Sequence, residues 1–307
     1  MLFDVIIIGG GPAGLTAGIY TSRARLKSLL IEKGLLGGQV TTTEFVENYP
    51  GFDEGISGAE LSGKMEKQAR KFGLEIIQAS VQKISLHEKT KKILLEGNKE
   101  YEAKSIILST GAHPKTLGVE GEGEYRGKGV SYCATCDGAF FKGEKLAVIG
   151  GGDSAVEEAI FLTKFAETVY IIHRRDQLRA AKIAQERASS NTKIKFIWNS
   201  VVNKIEGEET VKALQIKNVK TQEESVLDVQ GVFIYVGYNP NTEFIKGTVD
   251  LDKDNYIITN EKMATSVPGI FAAGDVRSQT LKQIATAVGD GAIAAVEAEK
   301  YIEENFS

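Results

Sequence analysis

The chain has 307 residues, of which 42% are hydrophobic and 25% charged, a composition typical of a globular protein long enough for two domains. A formal charge of -4 at pH 7 gives no basic excess, which argues against nucleic-acid binding. No stretch approaches the roughly 18 apolar residues of a membrane span, and the N-terminal residues lack the basic segment of a signal peptide. We therefore expect a cytoplasmic protein that binds neither nucleic acid nor membrane.

The N-terminal segment carries a dinucleotide-binding pattern. An apolar, β-branched run at 4–8 predicts a strand, the glycines at 9–14 a turn, and residues 15–23 a helix. A second strand at 28–32 ends on an acid eighteen residues after the last glycine. In this fingerprint, Gly9 allows the tight turn and Gly11 allows the pyrophosphate to approach closely. Gly14 allows the helix to pack on the strand, and Glu32 contacts a ribose hydroxyl.

The next segment completes a first domain. Helical spacing at 59–72 predicts a helix, and 74–108 predicts a run of short strands and turns. The apolar strand at 105–108 runs into a turn of small residues, so we place the first domain boundary just after residue 112.

The sequence contains two cysteines, Cys133 and Cys136, spaced three apart and followed by Asp137. Such a C-x-x-C can close a small disulfide and supply a reactive thiolate, which indicates redox chemistry. A zinc site would need two ligands besides this cysteine pair, and with only three histidines in the chain such a set is hard to assemble. A structural disulfide is the other alternative, although so short a loop gains little from closure. Asp137 is either a turn or cap residue or the acid that moves the proton of thiol–disulfide exchange.

The strand–turn–helix–strand pattern then repeats, but basic residues follow its second strand where the first copy ends on an acid. A strand at 145–149, a glycine turn at 150–155, a helix at 156–164 and a strand at 168–172 follow in the same order. The basic residues after the second strand are His173, Arg174, Arg175 and Arg179. Arginines bind a 2′-phosphate through bidentate hydrogen bonds, whereas an acid repels it. The second site is therefore predicted to take NADPH, although a charge run can also be a solvated surface.

The last third of the sequence predicts a further strand at 231–237, a linker at 239–241 and an apolar strand at 269–274. An acid, Asp275, follows that strand and suits a polyol or ribityl hydroxyl. An alanine-rich helix is predicted from about residue 283 or 291 to 304.

Taken together, these motifs resemble the bacterial-type, low-molecular-weight thioredoxin reductases, class II pyridine nucleotide-disulfide oxidoreductases. The resemblance covers essentially the whole chain. It implies an α/β fold with two Rossmann-like dinucleotide-binding domains, the second inserted into the first. The FAD domain is expected at 1–115 and 242–307, and the NADPH domain at 116–241. The resemblance also implies a homodimer and a rotation of one domain against the other during turnover.

The resemblance assigns contacts residue by residue. FAD is expected at Gly9, Gly11, Pro12, Ala13, Gly14, Glu32, Lys33, Gly37, Gly38, Gln39, Asn48, Val81, Gly111, Asp275, Gln283 and Ile284. NADPH is expected at Gly150, Gly152, Asp153, Ser154, Ala155, His173, Arg174, Arg175, Arg179 and Gly237. No metal site is expected. Lys282 stands where the family commonly has arginine, and Asp153, where it often has asparagine, is expected to cap the following helix.

The implied activity is thioredoxin-disulfide reduction, EC 1.8.1.9: hydride passes from NADPH to FAD, the Cys133–Cys136 disulfide is reduced, and the dithiol reduces thioredoxin. By resemblance, Cys133 is the interchange thiol, Cys136 the flavin-proximal thiol and Asp137 the acid. The alternative is the reductase of a related disulfide or peroxidase system, which normally has an additional N-terminal redox domain. Ferredoxin- or flavodoxin-linked NADP reductases lack the cysteine pair, and a non-catalytic nucleotide sensor would not need it.

Overall fold

The computed structural model describes residues 2–43, 45–87 and 89–306, and for Cys136 the backbone without the side chain. The helices are α1 (Pro12–Arg23), α2 (Gly58–Lys71), α3 (Ala134–Asp137), α4 (Asp153–Leu162), α5 (Lys182–Ser190) and α6 (Ile284–Phe306). The strands are β1 (Leu2–Ile8), β2 (Ser28–Glu32), β3 (Glu75–Gln78), β4 (Val81–His87), β5 (Thr90–Leu95), β6 (Glu100–Leu108), β7 (Ala112–Pro114), β8 (Val130–Ser131), β9 (Lys145–Gly150), β10 (Thr168–His173), β11 (Ile194–Trp198), β12 (Ser200–Gly207), β13 (Val211–Asn218), β14 (Glu224–Asp228), β15 (Gly231–Tyr235), β16 (Tyr238–Pro240) and β17 (Ile270–Ala272).

The chain divides into two compact units. The first contains the residues up to 113 and those from 239 onward, and the second contains residues 114–238. The chain passes from one unit to the other near β7 and β16, which pair as a two-stranded sheet. The plain linker predicted at 239–241 is therefore wrong in part, because Asn239 and Pro240 belong to β16. Which nucleotide each unit binds stays a prediction.

The first unit is built on a parallel sheet with the strand order β3-β2-β1-β6. At the far edge, β6 has two successive partners. Its first half pairs antiparallel with β5 through residues 100–103, and its last three residues pair parallel with β17. The N-terminal and C-terminal parts of the chain thus complete one sheet.

The second unit repeats this arrangement. Its parallel sheet has the order β11-β10-β9-β15-β8, with the strand that precedes the glycine turn in the middle. A separate antiparallel sheet has the order β12-β13-β14. In both units the turn after the central strand leads into a helix, α1 or α4, so each turn lies at the carboxyl edge of its sheet, where nucleotides bind in such folds.

Both central strands are buried on their two faces, which explains their continuous apolar runs. In β1, Val5 and Ile7 pack with residues of the helices α1, α2 and α6, while Ile6 and Ile8 pack with residues of β4, β5 and β17. In β9, Leu146 and Val148 face α4 and α5, while Ala147 and Ile149 face the antiparallel sheet. Burial of an aliphatic side chain contributes about 1.5–3 kcal/mol, so these strands anchor the turns that follow them.

The predicted helices are confirmed with shifted ends. The helix expected at 15–23 begins at Pro12, inside the glycine turn, and the one expected at 156–164 begins at Asp153. The helix α5 was not predicted, because its buried face consists of two alanines, Ala184 and Ala188. In the described ranges, no helix combines the length and apolar character that a membrane crossing requires.

Candidate active site

The first glycine turn joins β1 to α1. Gly11 is the N-cap of α1, with Pro12 as the first helical residue. A Cβ atom on Gly14 would overlap the carbonyl oxygen of Gly9, so only glycine allows the helix to lie this close to the strand. A Cβ on Gly11 would meet no atom of the described residues within 4 Å. The open space beside Gly11, at the N-terminus of a 12-residue helix, fits an approaching phosphate.

Glu32 lies at the end of β2, beside this turn. Its carboxylate accepts hydrogen bonds from the backbone N–H of Gly10, 2.6 Å to Oε2, and from that of Gly34, 2.7 Å to Oε1. Carboxylate oxygens have about four acceptor positions in total, so two remain for ribose hydroxyls. Glu32 thus holds the turn in place, a role that the sequence pattern did not predict. Its predicted contact with the nucleotide is compatible with this geometry.

Several other predicted FAD residues form hydrogen bonds within the first unit. Gly37 donates its N–H to Gly10 O, 2.7 Å, which brings the segment after β2 to the turn. The Gln39 side chain donates to Ala112 O, 3.2 Å, beside Gly111, and Asn48 Nδ2 donates to Gln283 Oε1, 3.0 Å. Lys33 and Gly38 are exposed, and Val81 begins β4. Pro12 and Ala13 form the first turn of α1, and Ile284 begins α6.

Two buried polar atoms lie in the segment after β17. Among the described residues, Asp275 Oδ1 and Gln279 Nε2 have no hydrogen-bond partner. Burial raises the pKa of Asp275, and the nearby Lys282 ammonium acts in the opposite direction. An unsatisfied acceptor and an unsatisfied donor so close in sequence fit a polyhydroxyl chain, because each hydroxyl both donates and accepts. The residues present therefore fit the flavin that the sequence implies, and Gln279 lies within the segment 275–284 to which the resemblance assigns FAD contacts.

Lys282 and Arg277 shape this segment. Lys282 Nζ donates to the backbone oxygens of Asp275, 3.1 Å, and Arg277, 3.4 Å, and lies 3.8 Å from the centroid of the Tyr256 ring. Arg277 forms two hydrogen bonds to the buried carboxylate of Asp290, 2.6 and 2.9 Å, and Asp290 also accepts the N–H of Gly274 at 3.0 Å. This ion pair fixes the turn before α6. This ion pair was not predicted from the sequence, although an aspartate within an alanine-rich helix was a signal.

The second glycine turn joins β9 to α4. Gly152 is the N-cap of α4, and a Cβ there would have no described atom within 4 Å, so the same open space for phosphate recurs. The predicted helix cap at Asp153 is wrong: Asp153 is the first helical residue, and its Oδ1 accepts the N–H of Ala181, 2.6 Å. Ser154 follows, exposed in the first turn of α4, and Ala155 is buried.

The basic residues after β10 lie beside this turn. The His173 ring is buried, and a Cβ on Gly151 would lie 2.5 Å from its Nδ1 atom. Burial lowers the pKa of His173, and the charges of Arg179, Arg174 and Arg175 lower it further. The backbone N–H of Arg179 donates to Gly151 O, 2.6 Å. Within the described part of the chain the three exposed guanidinium groups have no hydrogen bond or ion pair, so their N–H groups are able to donate to an anion.

The cysteine segment belongs to the same unit. Cys133 is disulfide-bonded, and Cys136 is the one other cysteine of the sequence. The side chain of Cys136 lies outside the part that the structure describes. Asp137 ends α3, and its backbone N–H donates to Cys133 O, 3.2 Å. The predicted Gly237, with φ of 117°, follows β15 and accepts the N–H of Lys115, 2.8 Å.

Side chains around Cys133 that the sequence analysis missed hold this segment. Tyr132 donates to the Glu122 carboxylate, 2.6 Å, and Glu122 also accepts the N–H groups of Leu117 and Gly118 at 2.8 and 2.7 Å. Burial and the Glu122 charge raise the pKa of Tyr132 far above its usual range. Phe140, four residues after Cys136, is 82% exposed.

Two dinucleotide-type turns and a disulfide in one chain define a nucleotide-dependent disulfide oxidoreductase. Residues 3–291 match the family model described as pyridine nucleotide-disulphide oxidoreductase, and the chain belongs to that family. It is 51% identical to thioredoxin reductase of Bacillus subtilis over 304 residues, 99% of this chain and 96% of that protein.

Solved structures agree with this assignment. The thioredoxin reductase of Lactococcus lactis superposes with a TM-score of 0.96 at 50% identity, covering 98% of this chain and 99% of that one. The thioredoxin reductase of T. acidophilum gives 0.93 at 38% identity, with 99% of each chain covered. The predicted α/β fold with two Rossmann-like dinucleotide-binding domains is thereby confirmed.

Proposed function

We propose that the protein is an NADPH-dependent, FAD-containing thioredoxin-disulfide reductase. The observation that carries this proposal is the disulfide at Cys133, in the unit whose glycine turn lies beside exposed arginines that have no partner among the described residues. Half of the residues are identical to those of proteins named thioredoxin reductase, along nearly the whole chain. Thioredoxin or a similar small redox protein is the proposed partner.

The first unit, with boundaries near 115 and 242, is the proposed FAD domain. Its residues would hold the pyrophosphate beside Gly11, a ribose at Glu32 and the polyhydroxyl chain between Asp275 and Gln279. Asp275 Oδ1 and Gln279 Nε2, two buried atoms with no hydrogen-bond partner in the described part of the chain, support this placement. When bound, FAD supplies the two-electron transfer between NADPH and the disulfide.

The second unit, near 116–241, is the proposed NADPH domain. Its residues would bind the pyrophosphate beside Gly152 and the 2′-phosphate among Arg174, Arg175 and Arg179. These arginines are exposed and lie close enough to His173 to lower its pKa. The imidazole therefore stays neutral at physiological pH, and the positive charge that faces the 2′-phosphate comes from the guanidinium groups.

The two cysteines carry out the thiol–disulfide exchange with the partner. Two electrons and two protons convert the disulfide into two thiols; the Cys133 thiolate then attacks the partner's disulfide, and Cys136 releases the reduced partner by re-forming the intramolecular bond. Asp137 is the acid that protonates the leaving thiolate. The exposed Phe140 gives the partner an apolar contact beside the cysteine segment.

The experiment measures both half-reactions. The purified protein should carry a flavin spectrum and reduce thioredoxin with NADPH. Cys133→Ser and Cys136→Ser should each abolish thioredoxin reduction while NADPH still bleaches the flavin. Full thioredoxin reduction by either variant would refute the cysteine roles. Efficient reduction of a peroxidase-type partner with no activity on thioredoxin would favour the alternative, the reductase of a related disulfide or peroxidase system.

We further propose a cytoplasmic homodimer. A single C-x-x-C pair with a catalytic role is typical of proteins in reducing compartments, which supports a location in the cytoplasm. On α6, Ile293 and Val296 are exposed one turn apart, and Tyr20 of α1, the helix against which α6 packs, is exposed as well. Exposed apolar side chains on two helices that pack together support a protein interface. Ile293→Glu should convert a dimer into a monomer in sedimentation; a wild-type monomer would refute the proposal.

A further inference from the structure

The peptide group between Cys133 and Ala134 is fixed at both ends. Its oxygen accepts a hydrogen bond from Ser131 Oγ, 3.2 Å, and from the N–H of Asp137, 3.2 Å. Its N–H donates to the hydroxyl of Tyr235, 2.8 Å. Ala134 is fully buried, so this N–H has little access to water as a substitute partner. The orientation of the backbone at Cys133 therefore depends on a residue about one hundred positions away.

Tyr235 reaches the cysteine segment from the end of β15. This strand lies between β8, which leads into the cysteine segment, and β9, which leads into the second glycine turn. Tyr235 is the register partner of Gly150, and a Cβ on Gly150 would overlap the carbonyl oxygen of Tyr235. One residue thus touches the nucleotide turn with its backbone and the cysteine segment with its side chain.

The hydroxyl of Tyr235 is suited to a neutral, permanent hydrogen bond. Burial raises its pKa far above the usual range, and the negative charge of Glu158 raises it further. The Asp137 carboxylate adds a smaller effect in the same direction, so the phenol also lies within electrostatic reach of that carboxylate. The phenol consequently stays protonated at any working pH and accepts from Ala134 without adding charge beside the cysteines.

We propose that Tyr235 is a positioning residue that holds the Cys133–Ala134 peptide in the orientation of the disulfide form. Reduction adds two electrons and two protons, breaks the S–S bond and allows the two sulfur atoms to separate. The hydrogen bond observed in the oxidised segment opposes this change, so Tyr235 favours the disulfide over the dithiol. The inference rests on the proposed redox role of Cys133 and Cys136, and it assigns control of their equilibrium to a residue of the nucleotide-binding sheet.

The test compares Tyr235→Phe with Tyr125→Phe in the holoenzyme. Tyr125 belongs to the same unit, and its hydroxyl donates to Gly207 O, 2.9 Å, so the control removes a phenolic hydrogen bond away from the cysteine segment. Each protein is equilibrated with mixtures of reduced dithiothreitol, which supplies two electrons and two protons, and its cyclic disulfide. Thiols are then alkylated and counted by mass spectrometry.

We expect Tyr235→Phe to shift the equilibrium constant about five- to tenfold toward the dithiol, a tenfold shift being about 30 mV. Tyr125→Phe should match the wild type. Equal constants for Tyr235→Phe and wild type would overturn the inference. If Tyr235→Phe does not fold, Ser131→Ala, which removes one of the two hydrogen bonds to the oxygen of the same peptide, should shift the constant in the same direction, and no shift there would also overturn it.

The outcomes separate this inference from the proposed function. A wild-type disulfide that dithiothreitol cannot reduce, or a Cys133→Ser variant that still reduces thioredoxin, would contradict the proposed function itself. Identical constants in otherwise redox-active proteins would leave the reductase activity intact and remove Tyr235 from its control.

Discussion

The two units build one strand–turn–helix pattern with different residues at equivalent positions. Gly14 and Ala155 are each the sixth residue counted from the first glycine of their turn. At Gly14, α1 lies so close to its strand that a methyl group would overlap Gly9 O, whereas α4 accommodates the alanine at 155. Glu32 and His173 both end the strand that follows the helix. Each supports the middle glycine of its turn, one by a hydrogen bond and the other by ring packing.

This comparison separates what the turn requires from what the ligand requires. The turn needs a residue that contacts the middle glycine, and either a carboxylate or an imidazole can provide that contact. The choice of ligand is expected to depend on the charge of the residues beside the turn, which is acidic in the first unit and basic in the second. Mutations at equivalent positions should therefore affect different properties.

The largest effect is expected where the charges differ. Arg174→Gln with Arg175→Gln should raise the KM for NADPH at least about a hundredfold, because each arginine is expected to contribute charge-assisted hydrogen bonds of about 1.5–3 kcal/mol to the 2′-phosphate. The KM for NADH should change far less. Steady-state kinetics measure both, and Lys212→Gln with Lys217→Gln on β13 removes the same net charge as a control. An equal loss for the two nucleotides would contradict the assignment of the basic site.

The next effect tests the different helix distances. Gly14→Ala should destabilise the first unit by about 1–3 kcal/mol, because the methyl group forces α1 away from the turn. It should also lower the flavin content of the purified protein. The reciprocal Ala155→Gly should cost about 1 kcal/mol, the usual helix penalty of glycine, and leave the flavin content unchanged. Denaturation curves and absorbance spectra check both variants; equal flavin loss in the two would erase the distinction between the turns.

The stability of the first unit should depend on pH because this unit contains a buried lysine, Lys91. Its ammonium donates to Lys104 O, 2.8 Å, and to the Tyr301 hydroxyl, 3.2 Å, and burial lowers its pKa to about 8. Between that pKa and the value of about 10.4 in an unfolded chain, the unfolded state binds more protons, so stability rises with pH. From pH 7.5 to 9.5 the first unit should gain on the order of 1–2 kcal/mol.

The two units can be followed separately in that experiment. The sole tryptophan, Trp198, reports on the second unit, and flavin fluorescence would report on the first. The pH-dependent gain should appear in the flavin signal, be absent in Lys91→Met and leave the tryptophan signal of both proteins alike. A gain that persists in Lys91→Met would show that another group titrates.

The smallest effect is expected at Asp153, beside the proposed pyrophosphate site. Asp153→Asn keeps an oxygen that can accept the Ala181 N–H but removes a negative charge. The KM for NADPH should fall about two- to threefold, since an exposed charge interacts weakly through water. Glu167→Gln, an exposed acid in the same unit, is the control. A rise in KM would indicate that the carboxylate contributes to binding.

The local patterns were predictable because they follow from periodicity and from glycine chemistry. The strands β1 and β9, both glycine turns and the helices after them follow from residues within thirty positions of each other. The same holds for the opposite charges at Glu32 and at Arg174. Helix ends were less accurate, because Pro12 and Asp153 begin helices inside the turns themselves.

The remaining features depend on contacts between distant residues. Tyr235 and Ala134 are 101 positions apart, and no pattern around either residue indicates the hydrogen bond between them. Lys91 and Tyr301 are 210 positions apart. The helix α5 was missed for a different reason, since two buried alanines give too little apolar contrast to mark a helix face.

The shared edge of β6 has a consequence for how the chain folds during synthesis. The parallel partner of its last three residues, β17, begins at Ile270, so the first sheet stays incomplete until the ribosome has translated the chain past residue 270. The inserted unit, 114–238, is translated earlier and contains all its own strand partners from β8 to β15. It can therefore fold while the nascent N-terminal segment still exposes an open apolar edge, a state in which chaperone binding would protect the chain from aggregation.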